Sequence, residues 1–280
     1  MPNPHLHSAG RALYNGSGSY IKKLLKEVPH MERRGQCIAV VSGKGGTGKT
    51  SFVSGVGAAL AREGCRVLCL DCDVGLRNLD LALGLSDRAL MDFTDVAQGI
   101  CPLQDAVVEH AKIPGLYLLT APARSRREAV TAAQMENLLR QVRRSFDFCL
   151  LDAPAGLGYG FRLAVCAADR CVVVSTADAS SLRDAQHTVM ELHRFPAGTL
   201  HLVVNRVRKK MLRQLHATID DAIDQAGLPL LGVVPEDDAL PLALNRGVPV
   251  QLCDGSMAAA AYRNIAKRIR GGRVPLLRIK

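Results

Sequence analysis

Aromatic side chains are scarce, at 4% of the 280 residues, which argues against the base-stacking platforms of a single-stranded nucleic-acid binder. No run approaches the roughly 18 consecutive apolar residues of a membrane-spanning helix, and the N-terminus lacks the apolar core of a secretory signal. A cytoplasmic chain is expected. Composition does not shift after residue 36 and no internal repeat is visible, so one large domain over 36–280 is expected behind an extension over 1–35. Cys69 and Cys72 have C-x-x-C spacing, but no second pair or histidine cluster completes a zinc set. With Cys37, Cys149, Cys166 and Cys171, Cys69 belongs to predicted strands or buried helices and acts as a small apolar residue in a reducing compartment.

What the chain has is a phosphate-binding loop. Ser42-Gly43-Lys44-Gly45-Gly46-Thr47-Gly48-Lys49-Thr50-Ser51 fits G-x-x-x-x-G-K-[ST], between the apolar run Cys37 to Val41 and the helix-like Phe52 to Glu63. The glycines let successive backbone N–H groups turn inward on phosphates, and the positive end of the next helix faces the same anion. Lys49 is then expected on the β and γ phosphates of a nucleotide and the Thr50 hydroxyl on magnesium.

Further apolar strands are expected at Arg66 to Leu70, Leu116 to Thr120, Phe148 to Leu151, Cys171 to Ser175, Leu200 to Asn205 and Leu230 to Val234. Helical patterns separate them, notably Arg126 to Arg144, Ser181 to His193 and Leu212 to Ala226. This alternation predicts an α/β fold, a doubly wound and mostly parallel sheet flanked by helices. Asp71 and Asp73 leave one strand tip, where such sheets bind ligands, and a carboxylate there can orient water for attack on a γ-phosphate. Asp152 ends another strand before the turn Ala153-Pro154-Ala155-Gly156, the arrangement of a magnesium-holding aspartate followed by a γ-phosphate sensor.

These residues carry a resemblance. Lys44, in K-G-G-x-G-K-[ST], is placed like the signature lysine of the deviant Walker A ATPases of the MinD/ParA family, and Asp71 to Asp80 resembles the D-x-D-x-G-L-R-N-L-D segment of its MinD branch. The resemblance covers about residues 36 to 280 and implies a P-loop NTPase fold that uses ATP and Mg2+. It implies that Gly43 to Ser51, with Gly45, Gly46, Thr47 and Gly48, hold the nucleotide, and that Lys44 crosses to a partner's nucleotide in an ATP-dependent homodimer. Asp73 is implied to place the lytic water, Asp71 to stand near the magnesium shell, and Asp152 to hold magnesium-bound water with Gly156 beside it. Asn205 and Arg206, after Val203-Val204, and Pro235 and Glu236, in a segment similar to V-I-P-E-D, are implied to flank the adenine. Asp178 to Ala185 resembles the segment before the helix that borders the family's dimer face.

The resemblance further implies docking on anionic lipids at the inner face of the membrane or on Min-type regulatory proteins, in placing the division site. Alternatives are a flagellar-number regulator and a ParA-like DNA-partitioning ATPase. A net charge of +10 favours some anionic partner. The basic runs Arg124 to Arg127, Arg140 to Arg144 and Arg206 to Arg213 read first as solvated helix faces, which leaves nucleic acid the weaker choice. The chain differs from MinD in its first 30 residues, before the possible start Met31, and in having no distinct amphipathic helix before Lys280. Ala258, Ala261, Tyr262, Ile265 and Ile269 share a face that is expected to pack on the domain. Tyr20 to Val28, with Ile21, Leu24, Leu25 and Val28 on one face and lysines on the other, is the better-patterned interfacial helix.

Overall fold

Runs of Val, Leu, Ile and Cys become strands when both faces of a sheet are covered, because every side chain along the run is then removed from water. The computed structural model describes residues 35–86, 88–123, 130–215 and 218–277. The Tyr20 to Val28 pattern, Met31, the Arg124 to Arg127 run and Lys280 lie outside these residues. Within them the chain forms an eight-stranded sheet in the order β3-β4-β2-β5-β1-β6-β7-β8. The strands are β1 (Gln36–Val41), β2 (Val67–Asp71), β3 (Val108–Glu109), β4 (Leu116–Leu119), β5 (Phe148–Asp152), β6 (Arg170–Ser175), β7 (Leu200–Val207) and β8 (Leu230–Pro235). All pairings are parallel except β3 with β4.

The helices are α1 (Lys49–Arg62), α2 (Asn78–Leu83), α3 (Phe93–Ala97), α4 (Leu103–Ala106), α5 (Ala132–Ser145), α6 (Tyr159–Cys166), α7 (Ala179–Glu191), α8 (Lys209–Leu215), α9 (Ile219–Ala226), α10 (Ala239–Asn245) and α11 (Met257–Ile269). Strand alternation sorts the core into two layers. Ile38 and Val40 of β1 join α1 and α11 on one face, while Cys37, Ala39 and Val41 join α5, α6 and α7 on the other. The doubly wound expectation holds, with β1 at the centre between β5 and β6. The strand order reverses there, so the crevice beyond the carboxyl end of β1 is where a ligand fits.

Local chemistry sets the boundaries that periodicity blurred. The pattern expected to run as one helix from Leu212 to Ala226 divides into α8 and α9, because Thr218 caps α9: its Oγ1 accepts from Asp221 N (3.1 Å) and its N–H donates to Asp221 Oδ2 (2.7 Å). The helix expected from Arg126 begins, among described residues, at Ala132 behind a second capping box made by Thr131 and Gln134. From there Met135, Leu138, Leu139 and Val142 share one buried face of α5, and each buried side chain contributes about 1.5–3 kcal/mol. The short antiparallel β3 has no sequence pattern of its own length. The C-terminal stripe packs as expected, with Ala258, Ala261, Tyr262, Ile265 and Ile269 all buried.

One close contact in this frame joins α1 to α11. A Cβ on Gly55 would lie 2.2 Å from Tyr262 Cδ2, and the Tyr262 ring stands edge-on to Phe52, with centroids 6.0 Å apart. Gly55→Ala is expected to destabilise the protein by about 1–3 kcal/mol through overpacking. A drop in the urea midpoint at unchanged slope is the readout, and an unchanged midpoint refutes the packing argument.

Candidate active site

The loop after β1 is shaped by Ser42, whose Oγ donates to Lys44 O (2.7 Å) and accepts from Lys49 Nζ (2.7 Å). Gly48, at φ 92°, turns the chain into α1, whose first helical bond runs from Phe52 N to Gly48 O (2.9 Å). Only glycine fits there, because the conformation is left-handed and a Cβ would fall 2.2 Å from Asn205 Nδ2. Gly43, Gly45 and Gly46 complete the turn, and Thr47 is buried with its hydroxyl unpartnered among the described residues.

Lys49 is buried among acids. Desolvation lowers its pKa, while Asp152 and Asp73 act to keep it charged. Asp71 and Asp152 are register partners at adjacent strand tips. They differ in what their oxygens do. Asp71 accepts from Asp73 N (2.8 Å) and Leu79 N (3.4 Å), so both oxygens are committed to the turn that carries Asp73. Asp152 takes a hydrogen bond from the Thr50 side chain, and its Oδ1 is buried without a partner among the described residues. Burial, with Asp152 close by, pushes the Asp71 pKa up to about 8; burial likewise raises Asp152 to about 7, against the pull of Thr50 and Lys49. Asp73 is also raised by burial, with Lys49 opposing. Two neighbouring carboxylates, one with an open buried oxygen next to a threonine hydroxyl, form a donor set suited to a hard cation.

Beside the loop lies a cleft of about 420 Å³ bordered by Lys44 to Thr47, Thr176 to Asp178, Arg206 to Arg208, Met211, Leu212 and Glu236. Arg206, a non-glycine residue at φ 56°, donates from Nη1 to Gly46 O (3.2 Å) and from Nε and Nη2 to Glu236 (2.9 and 3.1 Å). Pro235 is buried at the end of β8. Asn205, which the resemblance assigned to an adenine edge, is buried and donates Nδ2 to Thr47 O (2.7 Å), so its donor braces the loop. Gly156, at φ 79°, stands in the turn after β5. Ser51 follows Thr50 in the first turn of α1.

Lys44 does not reach into the loop. Its Nζ donates to Ser180 Oγ (2.9 Å) and lies 3.6 Å from Asp178 Oδ1. Burial works the other way, yet hydrogen bonds from Thr176, Ser181 and Ser180 hold the Asp178 carboxyl well below its usual range. Sequence reasoning missed Ser42, Asp178 and Ser180 as partners of the two lysines. For Asp178 a signal existed, an aspartate three residues before Ser181 at a helix start, but a capping pattern does not say which lysine it meets. Cys69 and Cys72 are buried with thiol pKa values raised by desolvation, and among the described residues no group of three or more His, Cys, Asp or Glu side chains is placed to hold a metal ion.

Residues 38–250 match the family model described as the CobQ/CobB/MinD/ParA nucleotide binding domain. The chain belongs to this family. It is 39% identical over 243 residues to the septum site-determining protein MinD of Synechocystis, an alignment covering 86% of this chain and 91% of that one. The MinC:MinD cell division complex of Aquifex aeolicus contains a chain that superposes with a TM-score of 0.81 at 32% identity, covering 87% of this chain and 99% of that one. MinD of Pyrococcus horikoshii, solved as a complex with Mg-ADP, superposes with a TM-score of 0.74 at 28% identity, covering 84% and 95%. The eight-stranded, mostly parallel sheet flanked by helices is the fold of this family, and the chain is a MinD/ParA-family P-loop ATPase.

Proposed function

We propose that this ATPase is a MinD-type switch in cell-division site placement. It binds Mg-ATP, pairs face to face with a second copy, docks on anionic lipids or a Min-type partner, and leaves on hydrolysis. The likeness to MinD proteins supports the biological setting. One observation carries the chemistry: Lys49 is held by Ser42 between Asp152 and Asp73 at the tip of the central strands. Residues 36–280 are the ATPase unit in this reading, and 1–35 an extension.

The donor set fits magnesium, with Thr50 and the open Oδ1 of Asp152 as its holders and Asp71 behind them, fixing the turn. When bound, the cation neutralises charge between the β and γ phosphates. The chain's own groups do the rest. Backbone N–H groups of Gly43 to Thr50 and the start of α1 receive phosphate oxygens, Lys49 supplies a charge-assisted contact, and Gly156 lies where a backbone N–H can register the γ-phosphate. Asp73, half-exposed at the mouth of the site, orients water for in-line attack. Arg206, Glu236 and Pro235 border the base, and Asn205 keeps the loop in shape behind it.

Lys44 is partly exposed at the border of this cleft, so the Asp178–Ser180 contact must be exchanged before it can serve a partner's nucleotide. ATP favours the dimer only by the contacts it gains there. Lys44→Ala is expected to keep nucleotide binding and to lose ATP-dependent dimerisation. Asp73→Ala is expected to bind and dimerise but to hydrolyse at least about 100-fold more slowly. Light scattering with ATP separates the two, and normal dimerisation of Lys44→Ala removes its role in trans. No described helix is long and apolar enough to cross a membrane, so the lipid step is surface docking. Sedimentation with anionic vesicles and with DNA, each with and without ATP, tests it, and ATP-dependent binding to DNA alone rejects it.

A further inference from the structure

The base end of the cleft is the turn that follows β8, and polar bonds tie it to its neighbours. Glu236 is bonded to the end of β7 through its N–H (Val207 O, 3.0 Å) and to Arg206 through its carboxylate. The next residue, Asp237, does not border the cleft. Its Oδ1 accepts from Ala239 N (2.9 Å), and its Oδ2 accepts from Ser256 Oγ (2.8 Å) and Ala258 N (2.9 Å). Ser256 is the cap of α11, with Oγ accepting from Ala259 N (3.0 Å). One carboxylate therefore ties the turn after β8 to the first turn of a helix 19 to 21 residues further on.

That helix is anchored to the loop helix. Tyr262 of α11 is fully buried against Gly55 and Phe52 of α1. Gln251 Nε2 bridges them by donating to Gly55 O (3.2 Å) and Ala259 O (3.0 Å). α1 begins at Lys49 in the phosphate loop, and the loop's Gly46 O is held by Arg206. The contacts close into a ring: loop, α1, α11, Asp237, Glu236, Arg206 and back to the loop. Sheet pairing with β7 and packing on α11 hold β8 itself, and Asp237 adds the polar tie at the turn that follows it.

We propose that Asp237 is a positioning residue for nucleotide recognition, which fixes the Arg206–Glu236 wall at the distance from the phosphate loop that a nucleoside triphosphate requires. The proposal rests on the nucleotide reading above. Asp237 touches no ligand itself and acts through Glu236. Its removal should therefore spare the phosphate loop, and the loss should fall on the part of the ligand that carries base and ribose.

The test compares affinity for Mg-ATP with affinity for magnesium tripolyphosphate, measured calorimetrically on the full chain. Asp237→Ala is expected to weaken Mg-ATP about tenfold and to change tripolyphosphate by less than about twofold, because charge-assisted bonds to one turn are lost while the loop is intact. Asp237→Asn, isosteric and with one acceptor kept, should fall between. It serves as the measured variant if the alanine form does not fold, with thermal melting as the check. A merely structural role would move both ligands together. An unchanged ratio of affinities, or a parallel loss of both in a folded variant, overturns the proposal alone. A wild-type chain that binds neither ligand overturns the nucleotide reading and the proposal with it.

Discussion

Lys49→Ala is expected to lower affinity for Mg-ATP by about 10²- to 10⁴-fold. A lysine facing β and γ phosphates makes charge-assisted contacts of about 1.5–3 kcal/mol each, and every 1.4 kcal/mol is about tenfold in affinity. In the structure Lys49 is prepared for that task. Ser42 fixes its Nζ, and it stands where desolvation makes an unpaired cation costly and an arriving anion favourable. Truncation also leaves Asp152 and Asp73 without their neutralising neighbour, so the site turns from balanced to repulsive toward phosphate. A fluorescent-nucleotide titration of wild type and variant decides the matter, and equal affinities would remove Lys49 from the site.

The second large effect is on stability. Without nucleotide and magnesium, Asp71 and Asp152 should lower stability as pH rises from about 4 toward 8, against the opposite contribution of His110 and His201, whose pKa values burial lowers. Asp71 and Asp152 have folded pKa values raised to about 8 and about 7 from an ordinary value of 3.8, so in this window the folded state holds protons that the unfolded chain has released. Their contribution to stability then falls with pH, by at most about 1.4 kcal/mol per unit for each proton, and levels once the folded groups have ionised. Asp152→Asn deletes one of the two titrations. It should flatten the slope and, at pH 8, stabilise the nucleotide-free chain by on the order of 1–4 kcal/mol while disabling the magnesium position. Urea midpoints from pH 5 to 8 in the presence of a chelator give the answer. A wild-type and an Asp152→Asn midpoint that change with pH in parallel contradict the assignment of a buried, protonated Asp152.

The sheet was legible because its strands are buried on both faces. Runs such as Val67 to Leu70 and Cys149 to Leu151 carry their signal in composition alone, and the aspartates at their ends mark the ligand side. The phosphate loop was legible because its glycines serve a backbone geometry that few other residues allow. What could not be read were pairings between distant residues. Lys44 meeting Asp178, the Asn205 amide spent on Thr47 O, and Asp237 reaching Ser256 depend on which strand tips the topology sets side by side. The division of α8 from α9 is a different case. The T-x-x-D box at Thr218 was present in the sequence, and an apolar period that ran across it masked the stop.

The thiols make the sheet its own reporter of opening. Cys37, Cys65, Cys69, Cys72, Cys149 and Cys171 are buried, and Cys37 and Cys149 face one another across neighbouring strands at the centre of the molecule. Cys101, Cys166 and Cys253 are partly exposed. An alkylating reagent should therefore modify these three first and reach the six others at the rate at which the sheet opens. Mass spectrometry of the labelled chain would then time the loosening of each strand with no probe added, and bound nucleotide should slow the central positions most.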